Sequence, residues 1–151
     1  MDPPAAVRTN RQKSPEFSKK LIKLTVAGGA AFWIVDFAMS LSPISAEYMA
    51  AFSISSLPLA LVEALVGGLI IAGFVSYFLL RFSEKIPTKN PILKALILSF
   101  AAIVLIEMLS TFGDLSNAYV YLLVDTVMNI PSILALGLVV GYLYKRLHGP
   151  T

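Results

Sequence analysis

The chain has 151 residues, of which 57% are hydrophobic and 14% charged, a balance far from that of a soluble globule. With no cysteine and a single histidine, His148, it lacks the residues for disulfides, thiolate nucleophiles, Cys- or His-based metal centres or a Ser/His/Asp triad within the membrane. Its net charge of +3 does not indicate nucleic acid, because the basic residues have no interleaved aromatics.

Residues 1–20, MDPPAAVRTNRQKSPEFSKK, carry prolines, polar side chains and five of the twelve basic residues. Their composition reads as a disordered basic tail able to touch anionic lipid, although the same charges are an ordinary topology signal. Residues 21–147 form the membrane domain, and 148–151 a short second tail. An uncharged apolar run needs about 20 residues to cross ~30 Å of hydrocarbon as a helix. Four runs qualify, and the expected fold is all-α with four transmembrane helices; strands fit poorly because the runs are continuous rather than alternating.

Span 1 covers about 24–41 and is entered through Lys19, Lys20 and Lys23. A cleaved signal peptide ending in the small residues 42–46 is the alternative, but the long basic lead and Asp36 inside the apolar stretch argue against it. The following connection, SPISAEYMAAFSISSLP, has no basic residue and places Tyr48, Met49 and Phe52 at helical spacing, which predicts a short interfacial helix after Ser45. Span 2 covers 57–80 and meets Arg81. Asn90 and Pro91 then supply an N-cap and first position for span 3, 92–112, with Lys94 able to snorkel back to the interface. GDLSN turns the chain into span 4, 119–144, which stops at Lys145 and Arg146.

The twelve basic residues sort onto one side. Arg8, Arg11, Lys13, Lys19, Lys20 and Lys23 precede span 1; Arg81, Lys85, Lys89 and Lys94 flank the span 2 to 3 loop; Lys145 and Arg146 follow span 4. The positive-inside rule therefore predicts a multi-pass membrane protein with both termini cytoplasmic. Tyr48, Tyr119 and Tyr121 mark the outer interface, and Tyr142 and Tyr144 the inner one.

An internal repeat is visible. An offset of 71 places Lys23 on Lys94, Ala30 and Ala31 on Ala101 and Ala102, and Asp36 on Glu107. Leu61, Val62 and Glu63 match Leu123, Val124 and Asp125, and the segment 76–81 matches 141–146 once a gap is allowed. Two like-oriented hairpins related by an axis along the membrane normal would give this pattern.

Each span carries one carboxylate, Asp36, Glu63, Glu107 or Asp125, and no basic residue shares the interior with them. A charge at membrane depth costs at least ~2.5 kcal/mol on insertion scales, so such groups usually face the bundle interior and often mark ion or proton pathways. Counting ~1.5 Å per residue from the basic anchors puts Asp36 and Glu107 ~20 Å away, Glu63 ~27 Å and Asp125 ~30 Å, all in the outer half. Ser40, Thr111 and Asn129, each four residues after one of these acids, are candidate hydrogen-bond helpers. These five groups, Asp36, Glu63, Glu107, Asp125 and Asn129, form the candidate cation or proton site. The competing and favoured reading has Glu63 and Asp125 reaching water while the deeper pair is satisfied within a packed bundle.

Pro131, two residues after Asn129, should kink span 4 and is a candidate gate or fixed bend. Gly28, Gly67, Gly68, Gly73, Gly137 and Gly141 are candidate packing sites, since small residues let membrane helices approach closely within one chain or against another subunit. Trp33, one turn before Asp36, reads as packing. Size and span count resemble small multidrug transporters in architecture alone, which implies no activity.

No nucleophile-elbow, zincin or phosphate-loop signature is present, so an enzyme is not expected, and no cofactor is implied. The expected partners are the bilayer and either other membrane subunits or further copies of this chain. Two functions remain: an accessory or structural subunit of a membrane assembly, favoured by small mass and glycine-rich faces, or a channel or transporter for protons, metal cations or a small cationic solute.

Overall fold

A computed structural model describes the backbone of residues 5–43, 45–46, 57–111 and 118–149, and the side-chain surroundings of 15–43, 45–46, 57–109 and 126–149. Four long helices build it: α1 (Ala5–Ser40), α2 (Leu57–Phe82), α3 (Pro91–Thr111) and α4 (Ala118–His148). All four contain a stretch long and apolar enough to cross a membrane, and no strand occurs among the described residues. The interfacial helix expected around Tyr48, Met49 and Phe52 falls on residues outside the described ones, as do the side chains of Tyr119 and Tyr121.

Helix α1 begins at Ala5, well inside the segment that composition alone reads as a disordered tail. Nucleating a helix is costly but extending one is not, and a membrane span supplies the nucleus. Residues 5–20 contain no glycine, and a Glu16–Lys20 ion pair of 3.4 Å, spaced i,i+4, supports the extension past Pro15. At its other end α1 leaves carbonyls without intrahelical donors. Hydroxyls supply them: Ser42 Oγ donates to Met39 O at 2.6 Å, and Ser45 Oγ lies 2.6 Å from Ser40 O and 3.0 Å from Ser42 O.

A short 3-10 turn, Ser83–Lys85, follows α2. Asn90 caps α3 as its sequence predicts, its Oδ1 accepting from Ile92 N at 3.0 Å. Lys94 folds back so that its Nζ donates to Ser83 O, while Tyr144 of α4 donates its hydroxyl to Ser83 Oγ at 3.1 Å. One serine thus ties the loop to both helices of the second hairpin.

The helices pack in the ring order 1-2-3-4. The hairpin pairs α1/α2 and α3/α4 meet most closely, α4 lies firmly on α1, and α2 meets α3 more sparsely. The buried positions follow the repeat. Leu24, Gly28 and Phe32 are buried on α1, and Ala95, Ser99 and Ile103, each 71 residues later, on α3. On α2, Gly68, Ile71, Ala72, Val75 and Ser76 are buried, and so are Ile133, Leu136, Gly137, Val140 and Gly141, each 65 residues later, on α4. Ile22, Val26, Ile34, Leu59, Ile70 and Leu109 are all more than half exposed, as a lipid-facing surface requires.

Small residues set how near the helices come. A Cβ on Gly28 would stand 2.5 Å from Val140 Cγ2 and 3.1 Å from Ala72 Cβ, so α1, α2 and α4 converge there. A Cβ on Gly141 would stand 2.5 Å from Ile92 Cα and 3.1 Å from Pro91 O, and one on Gly137 would meet Leu96 at 2.7 Å. The GxxxG of α4 is therefore spent on α3 of the same chain. Gly68 accommodates Phe32; among the described residues, Gly73 has only Thr25 at ordinary contact distance and Gly67 has no atom within 4 Å of its Cβ position.

Candidate functional site

The inward rows of α1 and α3 advance four residues at a time, and the next step of each is a carboxylate. Asp36 follows Leu24, Gly28 and Phe32; Glu107 follows Ala95, Ser99 and Ile103. Both helices therefore carry their acid at the same level. Glu107 is 8% exposed and Asp36 half-buried. Neither acid is without a partner, and neither is Asn129, which is half-buried on α4. That engagement is what membrane depth demands of a polar group.

Glu63 behaves differently. It is exposed, on the row of α2 that also carries Ile70, which is 61% exposed. Glu63 therefore does not share the inward setting of Asp36 and Glu107. The side chains of Asp125 and Thr111 lie outside the described residues. Among the described residues, no group of three or more acidic or histidine side chains gathers closely enough to hold a metal ion.

Ser40 is not a helper to the Asp36 carboxylate in the way the four-residue spacing predicts. Its hydroxyl donates to the main-chain carbonyl of Asp36 at 2.9 Å. A serine has one proton to give, and in a helix the carbonyl one turn back is the nearer acceptor. Trp33 is a structural clamp: its Nε1 donates to Leu61 O at 3.0 Å, joining α1 to α2, and its ring stacks on Phe37 at 5.8 Å. Pro131 lies inside α4, which continues on both sides of it. Beside it, Ser132 is fully buried, and its Oγ, like that of Ser76, has no hydrogen-bond partner among the described residues.

The basic end holds features that a search for chemistry passes over. Phe74, Phe78 and Phe82 follow one another along α2 with ring centroids 4.4 Å and 5.5 Å apart, and Lys85 Nζ stands 5.3 Å over the Phe82 ring. Their i,i+4 spacing is plain in the sequence. It reads there as ordinary apolar content, since every span is apolar all round. No family model matches the chain, and no curated protein or solved structure shows a significant similarity to it.

Proposed function

We propose that this protein is a non-enzymatic accessory or structural subunit of a membrane assembly, with its basic end and both termini on the cytoplasmic side. The observation that carries the reading is the packing of the basic half of the bundle. Leu24, Ala72, Val75, Leu79, Leu136 and Val140 are fully buried around Gly28, where not even a methyl group fits without displacing a neighbour. A path for ions or solutes needs polar or hydrated lining through the full depth of the membrane, whereas this half presents interdigitated aliphatic groups. Among the described residues, two serines are fully buried in this half: Ser99, which donates to Ala95 O at 2.7 Å within its own helix, and Ser76, beside Val75.

Native mass spectrometry of the chain extracted in mild detergent from its own membrane tests this reading. A stoichiometric complex with another membrane protein is the expected result. A stable monomer without protein partners would refute it.

A second reading rests on the buried Glu107 and its counterpart Asp36: a cation or proton carrier working from the acidic outer half. Flux in reconstituted vesicles decides it, comparing wild type with Asp36→Asn and Glu107→Gln. Flux lost in both variants would favour the carrier over the subunit; no flux, or flux indifferent to both, removes it.

A further inference from the structure

The repeat makes a comparison available within one molecule. Where α1 offers Gly28 to Val140 and Leu136 of α4, the equivalent position of α3 is Ser99, and the equivalents of those two α4 residues on α2 are Val75 and Ile71. The larger residue on α3 faces Gly137 of α4, 3.2 Å from where its Cβ would stand, so the second pair has no glycine matching Gly28. The α1/α4 seam is accordingly close and the α2/α3 seam sparse. The emptiness beside Gly67 belongs to the same seam: on a helical wheel Gly67, Phe74 and Phe78 share the flank of α2 opposite to the one that meets α1 through Leu69, Gly73 and Tyr77.

Toward the basic end this seam has an apolar wall and a charged mouth. Phe74, Phe78 and Phe82 are each only half-buried, and they cover ~12 Å of membrane depth. Arg81, Lys85 and Lys89 stand above them, all exposed and without an ion pair among the described residues. The acid nearby in sequence is Glu84, also exposed. Lys94 is already committed to Ser83 O. Three cations against one carboxylate, at the end of a half-buried row of phenylalanines, match a molecule with an anionic head and a hydrocarbon tail.

We propose that the α2/α3 seam at the basic end binds an anionic phospholipid, its acyl chain along Phe74, Phe78 and Phe82 and its phosphate at Arg81, Lys85 and Lys89. The occupant is a membrane lipid rather than a second protein because the excess of positive charge follows directly on the apolar phenylalanine row, as headgroup follows tail. The proposal stands independently of the subunit and carrier readings.

Native mass spectrometry of the full chain, delipidated in detergent and titrated with phosphatidylglycerol or with phosphatidylcholine of identical acyl chains, tests it. Wild type should retain phosphatidylglycerol at least about tenfold more strongly than phosphatidylcholine, and Arg81→Gln, Lys85→Gln and Lys89→Gln should each weaken that retention about fivefold. Lys19→Gln with Lys145→Gln, two exposed charges at the same end but on α1 and α4, should leave it within about twofold. Far-ultraviolet circular dichroism and thermal melts should be unchanged in all variants, since the altered side chains are surface groups. Equal losses in the two sets, no preference for the anionic lipid, or occupation of the seam by a second copy of the chain would each overturn the proposal.

Discussion

Gly141→Ala is the most demanding test of how this bundle is held together. The added methyl would stand 2.5 Å from Ile92 Cα and 3.1 Å from Pro91 O, and both are backbone atoms that no rotamer change can move aside. Ordinary carbon–carbon contact lies near 3.5–4.0 Å, so α4 must back away from α3 by about 1 Å at this crossing. A gap of that size forfeits a quarter to a half of each facing contact, and on the order of twenty atom pairs at ~0.15 kcal/mol each give a loss of about 1 kcal/mol. Strain among displaced neighbours brings the cost to ~1–3 kcal/mol, set against ~1 kcal/mol that alanine gains over glycine in helix propensity. Gly67→Ala carries the same gain with no atom of the described residues within 4 Å to oppose it. Unfolding in mixed micelles, followed by circular dichroism, should therefore show Gly141→Ala less stable than wild type by up to ~2 kcal/mol and Gly67→Ala equal or more stable. Equal stability of the two variants, or their reversed order, would refute the close approach of α4 to α3.

Trp33→Phe removes the cross-helix bond to Leu61 O and should cost ~1 kcal/mol in the same assay, the scale of interhelical hydrogen bonds in membranes. Ser76→Ala and Ser132→Ala delete buried hydroxyls that have no partner among the described residues, and each should raise stability by ~1 kcal/mol; Ser99→Ala, which gives up a bond to Ala95 O, should not. Tyr144→Phe frees Ser83 from α4 and should speed hydrogen exchange in the 83–90 loop, measured by mass spectrometry, while leaving the spans protected.

The number of spans was legible because each is a long apolar run. The α3 cap was legible because Asn-Pro has a specific geometric use. Which face of each helix points inward was not. Lipid tails are as apolar as leucine, so Leu24, buried, and Val26, exposed, look alike to any hydropathy pattern. The 71- and 65-residue offsets and the glycines carried that information instead, and they return the buried rows almost position by position. Glycine alone was ambiguous: Gly67 and Gly68 are neighbours, yet one faces open space and the other the ring of Phe32. The acids were legible as a set but not as a site, because depth along a helix is countable whereas azimuth is not. Glu63 sits on the outward row and Glu107 on the inward one. The helical reach of residues 5–20 escaped composition, which weighs residues singly and not their continuity with a span.

That reach has a mechanical consequence. The edge contact of Phe17 with Tyr77, at 6.3 Å between ring centroids, is the described point nearest the chain start at which α1 touches the bundle; the twelve residues from Ala5 to Glu16 continue it by ~18 Å. The projection is a rod fixed at one end, and its base runs between α2 and α4. A pivot of α1 by about 10° inside the membrane sweeps the tip through roughly 3 Å, and a force on the tip returns as torque on the row that ends at Asp36. Pro15, near the root of the rod, lacks the amide that would stiffen the turn before it.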